Sequence, residues 1–302
     1  MGTLLMVCVV IALLLRITDS TLVAEYVDTA LQVAVLGLRA RTIFAPGDPG
    51  HSPQVIQIAD LRDVPGLTAT FGRFNTLTAS DGEEGVEYAG WQDLDPATSD
   101  ITGIKKEVGT QITWEARKAA ANQLQLWVKA GEELAAAMAT KINVDVCATF
   151  ASLSTTVGST GVNITNANIL AARNTLEVAN AYGPHYVVLH SQQWYDLMTE
   201  ANSPLVDASK TNMAEGFYGN YFYDDIYGMV WYITNDVQTA NAGADRCGSM
   251  FNPEAFGLNW LKDFGLAVTW DDDTYAWKLK MTGYWGTGVV TDEAGVKLVT
   301  DA

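Results

Sequence analysis

At 302 residues and a net charge of −17, from 35 acidic against 18 basic residues, the chain has room for one or two domains and a real core. So acidic a balance excludes an outer surface built to hold phosphate, although it allows one that lies near nucleic acid without adhering. Hydrophobic content of 48% with 18% charged residues excludes a disordered chain, and three scattered cysteines, Cys8, Cys147 and Cys247, exclude a disulfide framework or zinc ribbon.

Thr3 to Leu15 is almost wholly apolar. It is too short to span a bilayer, which needs roughly 20 residues. No positive charge precedes it and no A-x-A-like cleavage site follows. An apolar arm that packs on a neighbour, an extension upstream of the true start and a signal peptide all stay open. Thr21 to Arg39 has a wide apolar helical face from Leu22 to Leu38 that needs a partner surface. Pro46, Pro49 and Pro53 mark a break.

Val55, Ile56 and Ile58 predict a short strand. Leu67, Ala69 and Phe71 alternate with Thr68 and Thr70 as in a half-buried strand. Asn75 to Asp100 is rich in Gly, Ser, Thr and acids, with Val86, Tyr88, Trp91 and Leu94 scattered through it. That span has no apolar run to make a core, so two readings stay open: part of a projecting β-hairpin whose apolar residues touch a neighbouring subunit, or a mobile surface loop. Ile104, Lys106, Val108, Thr110 and Ile112 would share one face of the next strand. Thr113 is placed to cap the helix that follows, with Glu115 in its first turn.

Trp114 to Leu153 is the organising stretch, with no proline and a single glycine, Gly131. Leu124, Val128, Leu134, Met138, Ile142, Val146, Phe150 and Leu153 mark one stripe. Fully helical, it would reach roughly 60 Å. A weak point is expected near Ala121–Asn122, with two core helices joined by a short break as the alternative to one long helix, and Gly131 reads as a place where another backbone comes close. Cys147 falls within this pattern and reads as a small buried hydrophobe.

A polar connection, Ser154 to Asn166, looks like a boundary between subdomains; its Asn163-Ile164-Thr165 matches a glycosylation triplet without secretory context. A helix is expected over Ala167–Ala181, stopped by Gly183-Pro184, then a buried strand, Tyr186–Leu189, and a short helix capped by Ser191. Met229–Thr234 predicts a strand and Asn235–Cys247 an exposed loop. Phe264–Trp270 and Tyr275–Met281 predict a hairpin around Asp271-Asp272-Asp273, and Tyr284–Val290 with Val296–Val299 a final strand pair.

No catalytic constellation emerges. His185 and His190 flank one strand and point to opposite faces, and His51 stands alone, so no metal site is expected. No G-x-S-x-G, P-loop or G-x-G-x-x-G motif is present. Asp271–Asp273 reads as a solvated turn; the Asp224-Asp225 and Glu132-Glu133 pairs read as surface carboxylates, because adjacent residues do not converge on one substrate. Trp231, Trp260, Trp270, Trp277 and Trp285 crowd the last third, suited to core and subunit packing and, less commonly, to a sugar groove. The site assignment is therefore catalytic none, cofactor none and metal none.

The order of elements resembles the HK97-type major capsid proteins of tailed bacteriophages. The order runs apolar arm, hydrophilic hairpin, strand into a very long helix, α/β insertion, returning strands. Three stretches carry the likeness: NANILAARNTLEVANAYGPHYVVLHSQQWYDL from Asn166 to Leu197, MFNPEAFGLNW over Met250–Trp260 and GYWGTGVV over Gly283–Val290. The resemblance implies an α+β HK97-like capsid fold. Its parts would be an N-terminal arm (1–52), an extended loop with peripheral strands (53–113), a spine helix and connection of the peripheral domain (114–164), an axial α/β domain (165–259) and returning peripheral strands (260–302). It implies a non-enzymatic shell subunit of a virion, assembled in the host cytoplasm. Its partners would be copies of itself in hexamers and pentamers, with packaged double-stranded DNA by proximity and no membrane; scaffolding, portal and cement proteins stay open as further partners. Two alternatives remain at this point: an encapsulin-like compartment shell, and a secreted glycan-binding or glycan-cleaving protein.

Overall fold

The computed structural model describes residues 43–44, 55–74, 77–81, 84–85, 87, 90–94, 96–120, 123–200 and 222–301, with the backbone alone at 123–124 and 222–226. The expected apolar arm over 3–15, the helix over 21–39 and His51 lie outside these residues. The chain divides into two units, 1–45 with 105–142 and 263–284, and 46–104 with 143–262 and 285–302.

In the first unit, β4 (Ile104–Thr113) leads straight into α1 (Trp114–Ala119). As expected, Thr113 caps α1: its side-chain oxygen accepts from the Ala116 N–H at 3.2 Å. The long helix is interrupted near the expected weak point. α1 ends at Ala119, Ala120 is extended, and α2 runs from Gln123 to Phe150. Along α2 the buried positions within this unit are Trp127, Leu134, Ala135, Met138, Ala139 and Ile142, so Trp127 takes the buried place expected for Val128. Gly131 is buried as well. Of the β4 residues expected on one face, Ile112 is buried but Ile104 is exposed. The reason is position: β4 is an edge strand, next to β12 (Ala276–Val289), which in turn lies next to β11 (Phe256–Asp271); within the second unit, β1 (Gln57–Asp60) pairs with Gly257–Trp260 of β11. An edge strand has one neighbour to cover it. β12 is one strand where two short ones were expected. At the β11–β12 turn the Asp271 carboxylate accepts from the Asp273 N–H and the Thr274 hydroxyl. Trp277 lies edge-on between Trp127 and Trp270, at 6.3 and 5.1 Å.

The second unit is built on a mixed sheet ordered β5-β13-β10-β6-β8-β7, with β9 also pairing β10. These strands are β5 (Thr156–Val157), β6 (His185–Leu189), β7 (Phe222–Ile226), β8 (Met229–Ile233), β9 (Thr239–Ala240), β10 (Asp245–Phe251) and β13 (Gly295–Asp301). Helices α3 (Asn166–Val178) and α4 (Ser191–Thr199) supply Ile169, Ala172, Leu176 and Leu197 to a core with Val187, Leu189, Met229, Trp231, Met250, Val296 and Leu298. The last turn of α2 brings Phe150 to Phe251 and Phe256 at 5.8 and 5.2 Å.

Three expectations change here. The exposed loop expected to Cys247 gives way at Asp245 to β10, an interior strand whose Asp245 and Cys247 are buried. Asp245 Oδ1 accepts from the Gly161 N–H at 3.0 Å, which offsets part of the cost of its burial, while Oδ2 is buried without a hydrogen-bond partner. The chain's last strand, β13, pairs with β10 and β5 and not with the strand before it. The cap of α4 is His190, not Ser191: Nδ1 accepts from the Gln192 N–H, and the Gln193 side chain accepts from the His190 N–H, a reciprocal capping box.

Candidate functional site

The residues that stand out are apolar ones left in water. β2 (Thr68–Phe74) and β3 (Pro96–Thr102) pair antiparallel, from Thr68 opposite Thr102 to Phe74 opposite Pro96. Their Thr-rich faces are tied across the ladder by Thr68–Thr102 and Thr70–Asp100 hydrogen bonds of 2.9 and 2.7 Å. The other face buries Ala69, Phe71 and Ile101 against Ala59, Leu61 and Val290. Leu67, expected on that face, is exposed because it precedes the paired region.

Beyond this small cluster the described residues of the hairpin add no buried side chain. Phe74, Leu77 and Leu94 are 63%, 53% and 54% exposed, and Trp91 83%. A two-stranded ribbon of this kind is marginal by itself. The Gln92 side chain orders part of the connection: its Oε1 accepts from the Thr78 N–H at 2.9 Å and its Nε2 donates to the Thr78 carbonyl at 2.5 Å. That pair of bonds imitates a rung of a β-ladder. Arg73 is held by Glu293 at 2.7 Å. On the same unit Val178, the last residue of α3, and Tyr182, just beyond that helix, are 74% and 73% exposed, and Tyr195 is exposed on α4.

His185 is buried with Nε2 against the Ala181 carbonyl at 3.1 Å, and His190 is occupied as a helix cap. Burial pushes the His190 imidazole below its ordinary range, with Arg246 adding to the effect. Cys147 and Cys247 are buried free thiols; burial pushes Cys147 well above the usual thiol range and raises Cys247 as well. Glu132 pairs with Lys129 at 2.5 Å, Glu133 is exposed, and Asp271 is held below the usual carboxylate range first by Lys278 and then by Thr274. The Asp224 and Asp225 side chains lie outside the described residues. Among the described residues no group of three or more His, Cys, Asp or Glu is placed to hold a metal ion. The tryptophans divide: Trp231, Trp260 and Trp285 are core residues, and Trp270 is partly exposed. Sequence reasoning missed the buried polar residues Asn143 and Asn259, which carry no periodic signal. The Asn143 side-chain amide donates to Asp236 Oδ2 at 3.2 Å.

Among solved structures, the chain is similar to that of Mycobacterium phage Che8, with 17% identity, a TM-score of 0.62, and coverage of 77% of this chain and 84% of that one. It is similar to the cyanophage Pam1 capsid asymmetric unit at 13% identity and a TM-score of 0.64, over 87% of this chain and 92% of that one. For Gordonia phage Cozz the identity is 17% and the TM-score 0.61, over 83% and 86%. These likenesses show the fold, the α+β HK97-like capsid architecture implied by the sequence resemblance. No curated protein matches the chain. A family model described as phage capsid protein matches residues 97–298, about two thirds of the length, and leaves the glycan-binding alternative without support. By that match this chain belongs to the phage capsid protein family, as a structural major capsid protein.

Proposed function

We propose that the chain self-assembles, through hexamers and pentamers, into a closed icosahedral head around double-stranded DNA, and that it has no catalytic residues. Residues 53–164 and 260–302 act as the extended loop and peripheral domain, and 165–259 as the axial domain. Assembly takes place in the host cytoplasm. One observation carries the reading: the β2–β3 hairpin exposes Trp91, Phe74, Leu77 and Leu94, and among its described residues buries Ala69, Phe71 and Ile101 at its root. Large exposed apolar patches mark interaction sites, and obligate interfaces bury this kind of surface. The net charge of −17 suits a container whose wall repels packed phosphates.

Negative-stain microscopy of the purified full chain tests it. Closed shells are expected, alone or with a scaffolding protein supplied. A persistent small monomer under both conditions would overturn the reading.

A further inference from the structure

A hairpin that must find a neighbour is useful only if it leaves the body in the right direction. Its root answers that need. Asn259, on β11, is fully buried, and its Nδ2 donates to two carbonyls at once, Leu67 at 3.1 Å and Ile101 at 2.8 Å. Leu67 immediately precedes β2, and Ile101 lies at the end of β3. The same Leu67 carbonyl accepts from the Gly103 N–H at 2.8 Å, so both strands are gathered at one point.

The ground beneath that point is made of glycine. A Cβ on Gly286 would fall 2.3 Å from the Thr102 carbonyl oxygen. One on Gly257 would meet Ile101, Phe71 and Val290 at 2.8 to 2.9 Å, and one on Gly288 would meet Ile101 at 3.1 Å. The hairpin root therefore lies at backbone contact over Gly286 and packs the Ile101 side chain against Gly257 and Gly288, a close approach that glycine allows. Ser99 adds a bond to the Val290 carbonyl at 3.3 Å.

Asn259 makes this fixation at a cost, since its own Oδ1 is buried without a hydrogen-bond partner. A buried unsatisfied acceptor is unfavourable, and an apolar residue would remove it. An apolar residue would also free the two strand roots. We infer that Asn259, seated among Gly257, Gly286 and Gly288, is a positioning residue for assembly: it sets the direction in which the β2–β3 hairpin leaves its own subunit. The inference rests on the shell-subunit reading. A segment held in its bound direction loses less freedom on association, so the clamp acts on the yield and geometry of shells more than on the fold.

The test compares full-length wild type, Asn259→Ala, and a core control chosen from Ile169→Val and Leu176→Ala to match the Tm loss of Asn259→Ala. Shell yield is read by sedimentation and shell diameter by electron microscopy. Asn259→Ala is expected to lower the yield of shells of wild-type diameter about tenfold or more, as loss of two buried bonds per subunit implies, while the matched control assembles normally. Equal yields and diameters for Asn259→Ala and wild type, or an equal loss in the control, would overturn the inference. If Asn259→Ala does not fold, Gly288→Ala serves in its place: its Cβ meets only the Ile101 side chain, and it is expected to fold and to change shell diameter or yield. Normal shells from a folded Gly288→Ala would then overturn it. A wild-type chain that forms no shells under any condition instead defeats the shell-subunit reading itself.

Discussion

The indole Nε1 of Trp285 donates a hydrogen bond to Oδ2 of Asp145, 3.1 Å away. Asp145 lies on α2 and Trp285 on β12. A second bond runs parallel, from the Thr287 hydroxyl to the Asp145 carbonyl at 3.1 Å. Trp285 is fully buried and stacks on Trp260, with ring centroids 6.1 Å apart and planes within 14°. A buried indole needs an acceptor, and here the helix supplies it.

Trp285→Phe keeps an aromatic ring but removes the donor and some volume. Destabilisation of about 2 kcal/mol is expected, read from urea unfolding of the unassembled subunit. A Tm unchanged from wild type would show that the bond contributes nothing.

Trp91→Ser separates folding from assembly. Trp91 is 83% exposed, so the subunit's own stability should fall by about 1 kcal/mol or less, a smaller effect than that on assembly. A buried aromatic anchor at a subunit contact is typically worth about 2 kcal/mol or more. The concentration needed to form shells, measured by light scattering, should therefore rise tenfold or more, as about 1.4 kcal/mol already implies a factor of ten.

His190 gives a pH signature. Its Nδ1 accepts from the Gln192 N–H, so the cap needs a neutral ring, and burial lowers its folded-state affinity for a proton below the ordinary value of 6.5. The unfolded chain thus takes up the proton first as pH falls. The stability from this group is fully present above pH 6.5 and is lost as pH drops from there through the lower folded value. His190→Asn, which keeps an N-cap acceptor, should flatten that part of a Tm-versus-pH curve while changing Tm little at pH 8.

Gly158 is held at φ +93°, and a Cβ there would stand 2.4 Å from the Val299 carbonyl oxygen. Gly158 follows β5, which pairs with β13. Gly158→Ala should cost about 2 kcal/mol or more, because both the backbone conformation and the space forbid it. Differential scanning calorimetry would register the loss, and a neutral result would mean that the loop moves aside freely.

Read alone, the order of residues determined the local elements. It set the long helix with its interruption near Ala121–Asn122, the Thr113 cap, the buried strand at Tyr186–Leu189 and a coreless hairpin around Asn75–Asp100. Periodicity, capping and composition act within a few residues of one another, so they are visible without a fold. Tertiary structure alone decided which strands became neighbours and which polar groups went inside. The pairing of β13 with β10, the merging of two short predicted strands into β12, and the burial of Asp245, Asn143 and Asn259 depend on partners dozens to nearly two hundred positions away. A side chain carries no local mark of such a partner. Whether Leu67 and Ile104 are covered likewise depends on what lies beside them, and that is settled by packing, not by alternation.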